Sequence, residues 1–333
     1  MKALVTGGAG FIGSHLVEAL LEIGSEVVVV DNLSTGRLDN LAPHIESIEF
    51  IQDDISRSNF IDHKFDGIDC IFHLAALADI VPSIENPDLY FASNVVGTFN
   101  ILQLARRLNV EKIVYAASSS CYGLPDHFPT NEAAEIRPQY PYALTKRLGE
   151  EMVMHWGELY GLNTTSLRFF NVYGERSRTS GSYGAVMGVF LAQKLSGVPF
   201  TIVGDGSQRR DFTYVKDVVS SVIAAAQSSD SGKIYNVGSG ASVSINHLAE
   251  LLGGDKVFIP KRPGEPDCTF ADITKIQKEL GWLPKYSLEK GIDRVLQNID
   301  YWKAAPVWTP ELIAIATKEW FRCLGGKTPQ LKK

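Results

Sequence analysis

Cysteine and methionine are both scarce, with four of each in 333 residues. Cys70, Cys121, Cys268 and Cys323 stand far apart, without the C-x-x-C or Cys/His spacing of a metal site and too sparse for a disulfide scaffold; reduced thiols and no bound metal are expected. No apolar run approaches the roughly 18 residues that span a bilayer, which excludes a transmembrane helix. Met1 and Lys2 lead directly into a strand-like stretch with no signal peptide pattern, so the expected compartment is the cytoplasm. Positive charge is not in excess either. The 32 Lys and Arg face 38 Asp and Glu, a net charge of −6, which argues against nucleic acid or a membrane surface as partner and leaves any anionic ligand to a few local arginines. Internal repeats, low-complexity segments and long linkers are also missing.

What the chain has is length and apolar content. At 45% hydrophobic over 333 residues it can bury a large core, in one large domain or two intimately joined ones. Short β-branched runs at 2–6, 26–31, 48–52, 70–74, 112–117 and 164–169 alternate with helical segments. Continuous apolar runs of this kind read as buried parallel strands, so the expected class is α/β, a doubly wound parallel sheet with helices on both faces. After about Asn171 the rhythm loosens, with Gly/Pro punctuation and short strands at 200–203 and 233–237. We expect a dinucleotide-type domain over 1–170 and a smaller substrate-covering lobe over 171–333, with some interleaving.

Directly after the first run comes Thr6-Gly-Gly-Ala-Gly-Phe-Ile-Gly13, opening into a helical pattern over 14–23. Gly7, Gly10 and Gly13 are spaced as a dinucleotide loop requires: room for a tight turn, for a pyrophosphate against the backbone, and for helix on strand. Asp31 ends the second strand, 18 residues beyond Gly13, where a carboxylate accepts from ribose hydroxyls and repels a 2′-phosphate; NAD is favoured, while the nearby Arg37 leaves NADP open. Capping the turn Asp31-Asn-Leu-Ser34 is the plainer alternative for this Asp.

Tyr142 and Lys146 lie four apart, on one face of a helix entered through Pro138 and Pro141. A phenol titrates near ~10, so a base working near neutrality needs roughly 3 pH units, about 4 kcal/mol, from neighbouring positive charge. The cluster Ser118-Ser119-Ser120 falls at the carboxyl end of the fifth strand, where ligands bind in such sheets, though serines there also cap turns.

Together these residues resemble the extended short-chain dehydrogenase/reductase superfamily, in particular its UDP-glucose and UDP-N-acetylglucosamine 4-epimerases. The resemblance runs over TGGAGFIG at 6–13, Asp54-Ile55, HLAA at 73–76, Asn94, SSS-x-YG at 118–123, YALTK at 142–146, RFFNVYG at 168–174, Arg210-Asp-Phe and RPGE at 262–265. It implies that Gly7, Gly10, Phe11, Ile12, Gly13, Asp31, Asn32, Asp54, Ile55, Leu74, Ala75, Ala76 and Asn94 surround NAD. It further implies that Ser118, Tyr142 and Lys146 are catalytic, and that Ser119, Ser120, Asn171, Arg210, Arg262 and Thr269 meet a UDP-linked sugar. Dehydratases of this kind carry an acid after the catalytic Ser or Thr; Ser119 and Ser120 stand there, which argues for epimerisation. Thr269 falls at a gatekeeper position where a small residue leaves room for an acetamido group, or is ordinary strand packing.

Competing readings are an epimerase of another centre, a 4-keto reductase for CDP- or GDP-sugars, and a non-catalytic NAD-binding sensor. The resemblance also implies a homodimer through the helix after Asn94 and the helix of Tyr142, with Val95, Phe99, Leu102 and Ala105 as apolar positions. The aromatic tail from Tyr301, with Trp302, Pro306, Trp308, Pro310 and Trp320, has no counterpart in the pattern.

Overall fold

The computed structural model describes residues 1–60, 65–177 and 185–326; the last seven residues of the aromatic tail lie outside them. The strands are β1 Lys2–Thr6, β2 Glu26–Asp31, β3 Glu49–Gln52, β4 Cys70–His73, β5 Lys112–Ser118, β6 Thr164–Phe169, β7 Val172–Tyr173, β8 Phe200–Val203, β9 Arg209–Arg210, β10 Thr213–Tyr214, β11 Lys233–Val237, β12 Val243–Ser244 and β13 Lys256–Ile259. Seven of them form one parallel sheet in the order β11-β6-β5-β4-β1-β2-β3. The fold is Rossmann-like.

Its strands read as unbroken apolar runs because both faces are covered. Val27 and Val29 point to one core with Leu16, Val17 and Leu20 of α1 (Phe11–Glu22). Val28 and Val30 point to the other, with Ile101, Leu102 and Leu104 of a later helix. Helices follow the strands as α2 Ile80–Glu85, α3 Pro87–Phe91, α4 Gly97–Leu108 and α5 Pro141–Tyr160, with a π-helical turn over Ala92–Val96 between α3 and α4.

In the C-terminal half, α6 Val186–Leu195, α8 Ile245–Leu252 and α10 Leu288–Gln297 pack with three two-stranded sheets (β10-β7, β12-β9, β13-β8) around Phe190, Phe200, Ile202 and Trp302. Two elements of this half belong to the main sheet. The helix α7 Val215–Gln227 packs on its α1 face, and β11 pairs with β6 from Lys233↔Thr165 to Val237↔Phe169. The remaining helices are α9 Thr274–Leu280, α11 Pro310–Ala316 and α12 Lys318–Leu324. The tail does not wave free: Trp302 and Trp320 are 1% and 3% exposed, and α12 sets Trp320 and Leu324 against Val81, Ile80 and Ile84 of α2.

Candidate active site

A cleft of about 380 Å³ opens at the carboxyl ends of β1, β2 and β4, where strand order reverses between β1 and β4. Its floor is the β1–α1 turn. Gly7 has φ +73°, and a Cβ there would lie 2.8 Å from the Ala75 backbone; a Cβ on Gly13 would collide with the Gly7 carbonyl oxygen and come within 2.8 Å of Gly8 Cα. Gly10 caps α1 with no side-chain hydrogen bond, and the residues of the first turn, Phe11, Ile12 and Gly13, line the cleft.

Asp31 stands at the β2 end, its Oδ2 accepting from Ala9 N–H (3.0 Å) and its Oδ1 from Leu33 N–H (2.8 Å). Burial raises its pKa against those two hydrogen bonds. Asp31 thus braces the turn and also lines the cleft. Asp54 is held below the usual carboxylate range: burial opposes its charge, but Ser56 and the Asn32 amide (3.0 Å) outweigh it. Phe11, Ile12, Asn32, Ile55, Leu74, Ala75 and Ala76 complete this half of the lining. Asn94 is not in the lining. Its Oδ1 accepts from Leu77 N–H (2.8 Å) and its Nδ2 donates to Leu77 O (2.9 Å) and Thr145 Oγ1 (3.0 Å), which ties the cleft loop to α5.

Tyr142 and Lys146 enter the same cleft from the first turns of α5, which begins at Pro141. The Ser118 side chain hydrogen-bonds the phenol and also accepts from Ser120 N–H (3.2 Å). Burial raises the Tyr142 pKa, Ser118 draws it down, and the carboxylate of Asp79, also in the cleft, raises it again. Burial brings Lys146 down to about 7, opposed by Glu150 one turn along; its ammonium lies 4.3 Å from the centre of the Tyr115 ring. In the protein alone, the phenol is protonated at neutral pH and Lys146 is only partly charged; a positively charged ligand in the cleft would favour the phenolate. Glu150 itself is locked by Arg168 (2.7 Å) and Ser166 (2.9 Å), both on β6, which fixes α5 on the sheet.

The anion-binding candidates lie beside this cleft. Arg210 pairs with Glu265 (2.8 Å), and the other oxygen of Glu265 faces Arg262 at 3.7 Å. Tyr140 hydrogen-bonds Ser120, feels the charges of Glu265 and Arg210, and stacks on Tyr142 with ring centres 6.5 Å apart. Thr269 donates to Asn171 Oδ1 (2.7 Å) and accepts from Asp211 N–H (3.2 Å). Tyr140 thus links Ser120, Glu265 and Arg210 to Tyr142 in the cleft.

Residues 3–238 match the family model described as the NAD dependent epimerase/dehydratase family. The chain belongs to this family. A UDP-glucose 4-epimerase of Mycolicibacterium smegmatis is 36% identical over 312 residues, 89% of this chain and 98% of that protein. Among solved structures, the UDP-glucose 4-epimerase of Thermotoga maritima with UDP-glucose superposes with a TM-score of 0.83 at 34% identity, over 91% of this chain and 99% of that one. The UDP-glucuronic acid 4-epimerase of Bacillus cereus, with UDP-glucuronic acid and NAD, gives 0.81 at 31% identity over 90% and 99%.

The cofactor of the epimerase/dehydratase family is NAD, and the residues present fit it: a glycine cradle that a Cβ would fill, an uncapped helix N-terminus for a pyrophosphate, and an acceptor carboxylate at the ribose position. Several lining residues have no signature in sequence. Asp79, at φ +119°, immediately precedes α2, and Ser93 lies on the π-helical turn after α3; Tyr301, Pro306 and Trp308 come from the tail. Tyr301 donates to Asn40 Oδ1 (3.0 Å) and lies 5.3 Å from the Arg37 guanidinium. Nothing local in the sequence shows that this tail folds back more than 250 residues onto the segment after the second strand.

Proposed function

We propose that this family member is a nucleotide-sugar epimerase that inverts C4 of a UDP-hexose or UDP-N-acetylhexosamine. The observation that carries the reading is the Ser118–Tyr142–Lys146 set at the junction of the dinucleotide cleft and the surface bearing Arg210 and Arg262. NAD, when bound, supplies reversible hydride acceptance. The chain supplies the rest. Tyr142 takes the proton of the sugar 4-hydroxyl and later returns it. Ser118, whose oxygen accepts from Ser120 N–H and whose hydroxyl is hydrogen-bonded to the phenol, turns that hydroxyl to the sugar oxygen when substrate is bound and orients it. A charged Lys146 lowers the energy of the phenolate. Arg210 and Arg262 hold the diphosphate through charge-assisted hydrogen bonds, displacing the Glu265 contact, and the 4-keto sugar turns about that anchored linkage to present its other face. Ser119 and Ser120 offer no carboxylic acid to protonate a leaving hydroxyl, which favours inversion over water elimination.

The relatives differ in their sugar, glucose in one and glucuronate in another, so the chain's own contacts must decide. Thr269 is small and its hydroxyl is engaged by Asn171, a combination that leaves space beside the sugar 2-substituent for an acetamido group. The protein also acts as a homodimer in this reading. Phe99 and Val96 near the start of α4, and Leu144 and Leu159 of α5, are 40%, 36%, 48% and 59% exposed, an apolar set on adjacent helices suited to a second copy. Leu102 and Ala105 do not share that face; both are buried within the subunit.

Purified protein incubated with UDP-glucose, UDP-N-acetylglucosamine and UDP-glucuronate, without added cofactor, tests the assignment by proton NMR. The expected result is the galacto isomer of at least one substrate with no net accumulation of reduced nicotinamide. Protein that contains NAD yet converts none of the three would overturn it, and sedimentation as a monomer would remove the dimer.

A further inference from the structure

Trp320 sits where the cleft and its arginines meet the tail. Its ring centre is 5.4 Å from the Arg262 guanidinium carbon and 6.4 Å from the Tyr140 ring, and its indole N–H donates to Pro263 O at 2.7 Å. The residue is 3% exposed. Two neighbours hold the ring there: α12 is anchored through Trp320 and Leu324 to Val81, Ile80 and Ile84 of α2, and Tyr140 is in turn stacked on Tyr142.

We infer that Trp320 is a positioning residue for Arg262, so that the C-terminal helix α12 governs how the diphosphate of the substrate is gripped; the inference rests on the nucleotide-sugar reading. Arg262 stands at the start of a turn, Arg262-Pro-Gly-Glu265, whose Gly264 has φ +71°. A long side chain on such a turn has many rotamers, and a guanidinium grips phosphate well only when its fork of donors is presented in one plane. The indole limits both freedoms. Its N–H fixes the backbone one residue beyond Arg262, and its ring supports the guanidinium while leaving the N–H edges for an anion. The carboxylate of Glu265, shared with Arg210, keeps the two arginines converging until the anion arrives.

A packing role alone would also bury Trp320, so the test must separate support of Arg262 from support of α12. Kd for UDP by calorimetry, with KM and kcat for the UDP-sugar, is measured in Trp320→Leu, Trp320→Phe, Arg262→Gln and the double variant Trp320→Leu/Arg262→Gln. Leucine keeps apolar bulk without a π face and is expected to weaken UDP binding about fivefold, the size of a partly desolvated cation–π contact, raising KM more than it lowers kcat. Phenylalanine keeps the face and is expected to recover most of that loss. In the Arg262→Gln background the leucine change is expected to cost less than about twofold, because the group it acts through is gone. A leucine effect of equal size in both backgrounds, or a phenylalanine variant as weak as leucine, would overturn the assignment. UDP binding does not require turnover, so a wild-type protein that binds UDP but epimerises nothing refutes the epimerase reading while this cycle still reports on Trp320. A wild-type protein that fails to bind UDP refutes both.

Discussion

Replacing Lys146 with methionine should make the cofactor-free protein more stable and the enzyme inactive. Lys146 is 4% exposed, and burial brings its pKa from an ordinary 10.5 to about 7, Glu150 pulling the other way. That displacement, at about 1.36 kcal/mol per pH unit, amounts to about 5 kcal/mol of unfavourable charge burial. The folded-state pKa lies below the unfolded one, so between pH 7 and 10.5 the unfolded chain binds the extra proton and stability rises with pH. The cost is fully present below about pH 7, falls to about 2 kcal/mol at pH 9, and vanishes near 10.5. Methionine fills a similar volume without a charge. Urea unfolding of NAD-stripped wild type and Lys146→Met at pH 6 and pH 9 should therefore show a margin of about 3–5 kcal/mol for the variant at pH 6, shrinking by about half or more at pH 9. Differences between variants cancel the titration of all other groups common to both. A margin that does not change with pH, or a variant less stable at pH 6, would refute the claim that Lys146 carries a buried charge for the sake of chemistry.

The other predictions are simpler. Tyr142→Phe removes the proton acceptor but not the ring; kcat should drop by about 10²–10⁴-fold while the dinucleotide released on acid denaturation stays equimolar with protein. Gly13→Ala puts a methyl into the Gly7 carbonyl, so the variant should purify without bound dinucleotide, read from its absorbance spectrum and from chromatography of the acid extract. Arg168→Met removes the main partner of the Glu150 carboxylate, 1% exposed and bonded to Arg168 at 2.7 and 2.9 Å, and leaves it Arg147 (2.7 Å) and Ser166 (2.9 Å); a loss of about 3–5 kcal/mol in urea unfolding is expected, and a loss under about 1 kcal/mol would show that those two partners suffice.

How much of this was legible in the sequence varied with the range of the interaction. The six strands over residues 2–169 were readable because each is a buried, β-branched run whose signal is local; the boundaries moved by a residue or so, with β4 ending at His73 and β5 reaching Ser118. The glycine loop and the Tyr142/Lys146 pair were readable for the same reason, since turn, cap and helix-face spacing are set within a few residues. The pairing of β11 with β6 was not, because a strand's partner is chosen by the assembled sheet. Asn94 is the opposite case: its place in a motif implied cofactor contact, and in this structure its amide bonds Leu77 and Thr145. Tyr301, Pro306 and Trp308 line the cleft only through tertiary folding of the tail, and no local pattern encodes that.

The late arrival of β11 has a consequence for how the chain is made. When β6 leaves the ribosome its outer edge has no neighbour, and the strand that covers it follows 64 residues later, after α6, β8 and α7 have been synthesised. Asn236, on that late strand, also closes the buried polar chain that runs from Glu150 through Arg168 and Tyr122, accepting from the Tyr122 hydroxyl at 2.7 Å. The scaffold that aims Tyr142 is thus incomplete until roughly two thirds of the polypeptide exists. A nascent chain stalled before residue 233 would present an open sheet edge and an unfinished ion-pair network, an aggregation-prone species, and premature termination anywhere before that point should yield insoluble fragments rather than a working dinucleotide-binding half.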